Sequence, residues 1–124
     1  MITKLIIVAV GGSAGSVLRY LVFLLFDRYH ATTFPWATLA VNLIGSLMIG
    51  FLWGLFDRVH ISPGIRLLLF IGLLGGFTTF STFAFDIFSL YRDGDYKMMI
   101  TYLLSSNILS IGFAFLGYGV SRMF

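Results

Sequence analysis

Apolar residues come in four long blocks rather than in alternation, at about residues 2–26, 34–56, 66–90 and 98–123. Each block reaches the roughly 20 residues that a helix rising 1.5 Å per residue needs to cross a bilayer core. Short polar connectors separate them, at 27–33, 57–64 and 91–97. Pro35 falls in the first turn of the second block, where a missing N–H costs no hydrogen bond. Ser62-Pro63-Gly64 and Asp93-Gly94 are turn signals in the other two connectors. The pattern predicts an all-α membrane protein with four transmembrane helices, one domain over residues 1–124. The first block reads as a retained helix rather than a leader peptide. Its apolar stretch is too long, Arg19 interrupts it late, and no small-residue cleavage site follows.

Composition agrees and excludes several functions. The chain is 59% hydrophobic and 10% charged, with mean hydropathy +0.99, where soluble domains have about 45–50% apolar and about 25% charged residues. A soluble chain this short has more surface to cover and would be more polar, not less. With no cysteine, disulfides, thiolate metal sites and thiol catalysis are out. All five acids are aspartate, only Asp86 lies inside an apolar block, and His30 and His60 stand at block ends. That leaves almost no material for an enzyme's hydrolytic or metal chemistry. The net charge of +3 comes from eight scattered Lys and Arg, with no cluster suited to nucleic acid. They read as interfacial anchors, as do Trp36, Trp53, Tyr91 and Tyr96 near the block ends.

Basic residues divide almost evenly between the two sides. Lys4, Arg58, Arg66 and Arg122 fall on one side, four in all, against three on the other, Arg28, Arg92 and Lys97, or four if Arg19 is counted there. The positive bias that normally fixes orientation is nearly absent, so the chain is able to insert both ways up. Small residues four apart (Gly11 with Gly15, Ser46 with Gly50, Gly50 with Gly54, Gly72 with Gly76) imply close helix–helix contact.

Polar residues inside a span need partners, and three groups stand out. Thr38, Asn42 and Ser46 form one line on the second helix. Asn42 has two donors and an acceptor to satisfy, either in an interhelical hydrogen bond or as a pore-facing donor that replaces water around an anion. Tyr102, Ser106 and Ser110 repeat the line on the fourth helix, with Asn107 one step off it. Their alternatives are bonds back to the helix's own carbonyls or a hydrated track. The third block carries Gly-Gly-Phe-Thr-Thr-Phe-Ser-Thr-Phe at 75–83, a poor continuous helix. A break there releases carbonyls for a hard cation or N–H groups for an anion. Phe80 and Phe83 share a face, and their electropositive ring edges suit an anion, unless the rings are simply bulk. Arg19 either draws anions into a vestibule or pairs with a carbonyl or an acid such as Asp27. Asp86 either serves a site or anchors to a basic loop residue.

The 75–83 string, with Arg19, Asn42, Ser106 and Ser110, resembles the Fluc (CrcB-type) fluoride channels of microbes over the whole chain. The resemblance implies a broken third helix and an antiparallel, dual-topology homodimer with two fluoride pores in the plasma (inner) membrane. It implies pore roles for Asn42, Phe80, Phe83, Ser106 and Ser110, with Thr38, Ser81, Thr82 and Tyr102 along the path and Arg19 at the vestibule. It further implies a central Na+ held by the main-chain carbonyls of Gly75 and Thr78 from each subunit. Two other functions compete. A proton-coupled dual-topology exporter needs a titratable group deep in the bilayer, but Asp86 lies about one turn from its helix end and no glutamate exists. An accessory subunit without transport needs neither polar line.

Overall fold

The structure, a computed structural model, describes residues 1–29 and 33–124; His30 and the rest of 30–32, within the first expected connector, lie outside the described residues. Helix α1 (Ile2–Tyr29) leads to α2 (Trp36–Phe56). The third span is assembled from α3 (Pro63–Arg66), a π-helical stretch (Leu67–Leu74), α4 (Gly75–Phe77) and α5 (Phe80–Arg92), and α6 (Tyr96–Ser121) ends the fold. Four stretches, Ile2–Arg28, Trp36–Phe56, Pro63–Arg92 and Tyr96–Ser121, are long and apolar enough to cross a membrane. Among the described residues the fold is all-helical, that of a multi-pass membrane protein.

Local chemistry sets the ends. Helix α1 continues past its apolar block, so Asp27 and Arg28 stand in its last turn and Arg28 meets the negative end of the helix dipole. Pro35 sits at the N-cap of α2 rather than inside its first turn, and its carbonyl accepts from the Leu39 N–H at 3.2 Å. Lacking an N–H, it leaves no orphan donor at either position. Ser62 Oγ accepts from the Ile65 N–H at 3.4 Å, with Pro63 opening α3. Asp95 Oδ1 accepts from the Met98 N–H at 3.3 Å and caps α6. Just before it, Gly94 turns the chain at φ +76°, a conformation glycine adopts freely.

Two tight seams organise the bundle. Helix α1 lies along the first half of the third span, while α2 pairs with α6 more extensively than any other elements do. Lipid tails are as apolar as leucine, so close backbone approach rather than apolar burial holds such helices together. At the first seam, a methyl on Gly11 would stand 2.7 Å from the Leu68 carbonyl oxygen and 2.9 Å from Gly72 Cα. At the second, a methyl on Gly50 would strike the Ala114 carbonyl, and one on Gly117 the Leu47 carbonyl. A small buried cluster of Leu39, Phe83, Leu90 and Tyr102 fills the meeting of α2, α5 and α6.

The seams give a contrast between glycines. Gly50→Ala forces α2 from α6 and is expected to cost about 1–3 kcal/mol, as overpacking does. Gly112 has open space around it, so Gly112→Ala is expected to be neutral or mildly stabilising. Detergent-titrated unfolding of both variants checks the difference; equal stabilities would contradict the seam.

Candidate functional site

Thr78 (φ −79°, ψ 157°) and Thr79 (φ −150°, ψ 121°) are extended between α4 and α5. Two glycines weaken the helix before this point, and the threonine hydroxyls offer the backbone competing partners. Thr78 Oγ1 donates to the Leu74 carbonyl at 3.0 Å. Thr79 Oγ1 accepts from the Thr82 N–H at 3.2 Å, the N-cap of α5. From α2, Asn42 completes the arrangement. Its Oδ1 accepts from the Thr79 N–H at 2.9 Å, and its Nδ2 donates to the Thr79 carbonyl at 3.0 Å. A backbone N–H only donates and a carbonyl only accepts, so these two bonds fix which way the amide points.

The diverted donors matter as much as the bonds. In an uninterrupted helix the Thr79 N–H would serve the Gly75 carbonyl and the Thr82 N–H the Thr78 carbonyl. Here one goes to Asn42 and the other to the Thr79 hydroxyl. The carbonyls of Gly75 and Thr78 therefore lose their helical partners at membrane depth, where such a loss is expensive. Arg19 Nη1 lies 3.5 Å from the Thr78 oxygen, the outer limit of a hydrogen bond. That places Arg19 on a carbonyl rather than on Asp27.

Beside this point opens a cavity of about 370 Å³, bordered by Asn42 and Ser46 of α2, Phe80 and Phe83 of α5, and Ser106 and Ser110 of α6. Gly75, Thr78 and Thr79 border it from the interruption, and no lining residue is acidic. Asn42 keeps a second amide N–H beyond the one given to Thr79. Ser110 Oγ is buried with no hydrogen-bond partner among the described residues, an arrangement that costs about 1–3 kcal/mol if nothing fills it. The Phe83 ring is buried between those of Phe80, at 5.5 Å and tilted 51°, and Tyr102, at 5.2 Å and tilted 55°. Phe80 is 76% exposed, standing at the cavity's open side.

Other sequence-predicted residues lie around the cavity rather than on it. Tyr102 is fully buried in the cluster beneath Phe83, and its hydroxyl donates to Asp86 Oδ2 at 3.0 Å. Thr38, also buried, sits beside both groups. Asp86 thus engages a tyrosine instead of a basic loop residue. Ser81 and Thr82 gather on the Thr79 hydroxyl at 3.3 and 3.1 Å. The sequence reading missed Thr79 as the partner of Asn42, though threonine is a favoured N-cap residue. It also missed the Asp86–Tyr102 pair, since no spacing rule links residues on different helices. Ser46 and Asn107 border the cavity as well; Asn107 Nδ2 donates to the Leu103 carbonyl at 2.7 Å.

For a metal, the described residues hold no group of three or more acidic or histidine side chains, which leaves main-chain oxygen. The Gly75 and Thr78 carbonyls are hard oxygen donors freed from the helix, the ligand type that suits an alkali or alkaline-earth cation. Arg19 addresses at most one of the two lone pairs on the Thr78 oxygen. Two such oxygens per chain are the donor type a hard cation takes.

The chain is similar to the fluoride-specific ion channel FluC of Phocaeicola vulgatus, 45% identical over 119 residues that cover 96% of this chain and 98% of that one. It is 46% identical over 112 residues to FluC of Aquifex aeolicus, 90% of each chain. With FluC 1 of Nitrobacter hamburgensis the identity is 43% over 122 residues, 98% of this chain and 97% of the relative. These relatives are named as ion channels and not as enzymes. The family described as CrcB-like protein, Camphor Resistance (CrcB), matches residues 6–118, from the first turns of α1 to near the end of α6, and the chain belongs to that family.

Proposed function

We propose that the protein is a passive fluoride-selective channel, a single transmembrane domain that works as an antiparallel homodimer in the plasma (inner) membrane. The observation that carries this reading is the cavity at the interruption. Its lining offers an amide N–H, serine hydroxyls and phenyl edges, with no carboxylate to repel an anion. A small, strongly hydrated anion needs close donors to replace its water, and the unpartnered Ser110 hydroxyl supplies one. The relatives' names point to the same ion.

In this mechanism Asn42 holds the interruption and turns its remaining N–H toward the anion. Phe83, pinned by Tyr102, offers a ring edge, and Phe80 offers another. Ser106 and Ser110 continue the path along α6, Ser81 and Thr82 stand about the cap, and the buried Thr38 and Tyr102 support the path from behind Phe83 rather than lining it. Arg19, although one of its N–H groups reaches the Thr78 carbonyl, keeps its other donors for anions at the vestibule. The Gly75 and Thr78 carbonyls of two chains would hold one Na+, which would supply a fixed positive charge. The physiological logic is that of a weak acid: HF crosses membranes, dissociates in a neutral cytoplasm, and leaves trapped fluoride. A negative-inside potential then drives the ion out at about 2.3 kcal/mol per charge per 100 mV. A proton-coupled exporter fits less well, because Asp86 does not border the cavity and is engaged by Tyr102.

Fluoride efflux from liposomes, with chloride as control, tests the reading. The protein is expected to pass fluoride without a proton gradient and to reject chloride. Phe80→Ile and Phe83→Ile keep much of the apolar volume but remove the ring quadrupole. Each is expected to lower fluoride flux at least about tenfold, or ~1.4 kcal/mol on the barrier. Wild-type flux in either variant, with assembly intact, contradicts the ring-edge role.

The antiparallel arrangement has its own test, independent of the pore. Two or three lysines added to the 57–64 connector are expected to lock one orientation, and the same addition at 91–97 the other. Each variant alone should leave cells fluoride-sensitive, and the two together should restore resistance. Full protection by one variant whose single orientation is verified by a reporter would require a parallel assembly.

A further inference from the structure

We infer that the end of the molecule where α2 and α6 terminate binds an anionic phospholipid, its phosphate on Arg122 and Arg58 and one acyl chain in a groove between those helices. Three arginines converge there. Arg66 Nη2 donates to the Phe56 carbonyl at 2.9 Å, and its guanidinium lies over the Phe56 ring. Arg58 Nη1 donates to the Phe124 carbonyl at 2.8 Å, which brings the chain after α6 onto the end of α2. The Arg122 guanidinium lies 5.7 Å from the centre of the Tyr118 ring. None of the three forms a side-chain ion pair among the described residues, where the pair is Arg92–Asp93 at the opposite end; the acidic neighbours at this end are the exposed Asp57 and the main-chain oxygen of the last residue, Phe124, which takes one N–H of Arg58. Each guanidinium has five N–H donors, so Arg58 and Arg122, both exposed, retain most of theirs.

Directly below runs a groove of about 450 Å³, lined by Ile49, Gly50, Trp53, Ala114, Phe115 and Tyr118. Tyr118 joins the two features, because its ring carries Arg122 above and walls the groove below. Ordinary interfacial anchoring calls for exposed arginines and aromatics but no groove. A cationic rim over an apolar slot matches a phospholipid, since the guanidinium fork takes phosphate oxygens in pairs while the slot takes a hydrocarbon chain. The lack of a basic bias means that antiparallel partners would present this end to both leaflets, but the site itself needs one chain only and does not depend on fluoride conduction.

Trp53, 53% exposed in the groove, is a built-in reporter. In a Trp36→Phe background, the protein is reconstituted in phosphatidylcholine vesicles containing either phosphatidylglycerol or phosphatidylcholine with brominated acyl chains, at equal mole fraction. Brominated phosphatidylglycerol is expected to occupy the quenching position about 25-fold more strongly, about fivefold for each of the two arginines. The preference should fall about fivefold in Arg122→Gln and again in Arg58→Gln, the effect of about one basic residue at an anionic surface. Replacing Arg92 and Lys97 by Gln at the other end should leave it unchanged, as should millimolar inorganic phosphate. Equal quenching by both lipids overturns the site, as does a preference that survives both arginine substitutions. Quenching by neither lipid overturns it too, showing the groove filled by protein, a second copy included. Loss of the preference in free phosphate would also overturn it, since the ligand would then be the anion and not the lipid. The wild-type comparison of the two lipids stands by itself if an arginine variant does not assemble.

Discussion

The paired hydrogen bonds between the Asn42 side chain and the Thr79 backbone are the constraint on which the site depends. They satisfy, at membrane depth, an N–H and a C=O that an extended residue would otherwise leave bare. They also decide what stays bare. By taking the Thr79 N–H, Asn42 removes the helical donor of Gly75; by capping Thr82, the Thr79 hydroxyl removes that of Thr78. The Asn42 clamp and the Thr79 cap together leave two carbonyls without helical partners on one side, that of Thr78 met by Arg19, and aim α5, with Phe80 and Phe83 in its first turn, at the cavity on the other.

The remainder of the molecule reads as support for that point. The Gly11 and Gly50 seams let backbones approach closely enough to hold the third span and α6 in place without a large apolar core. Beneath Phe83, the buried Tyr102 ring and its bond to Asp86 stop the phenyl from turning away. Energetically the arrangement is uneven. Most polar groups near the cavity are partnered, while Ser110 is not, and an unpaired buried hydroxyl is a standing cost that an accepting ion removes. On the proposed reading, this is how the site would favour an anion without a formal positive charge in its wall.

The four spans were legible because apolar block length is a direct consequence of bilayer thickness. The connectors were legible at Ser62-Pro63 and Asp93-Gly94, whose local chemistry acts over three or four residues. Asn42, Phe80, Phe83, Ser106 and Ser110 stood out as polar or aromatic residues at helical spacing, and all five border one cavity. What the spacing did not carry was partnership across helices. Thr38 and Tyr102 lie on the same faces as Asn42 and Ser106, yet a turn or two of helix moves them into the buried cluster with Asp86. Thr79 looked like one hydroxyl among four; its role arises from which α2 residue meets it, a tertiary fact. The π-helical stretch Leu67–Leu74 was equally invisible, because nothing in an unbroken leucine-rich run marks a change of hydrogen-bond register.

The measurement that bears most directly on this account is fluoride efflux from liposomes by Asn42→Asp across neutral pH, with assembly checked by size-exclusion chromatography. The substitution is nearly isosteric, and a carboxylate still accepts from the Thr79 N–H. Its second oxygen, however, faces the Thr79 carbonyl where Nδ2 donated at 3.0 Å. If ionised it repels the permeating anion, and if neutral it still lacks the amide's donor pair. The account requires fluoride flux to fall at least about tenfold in a correctly assembled protein. Full flux in Asn42→Asp would show that the clamp and the anion path are separate, and the account would fail.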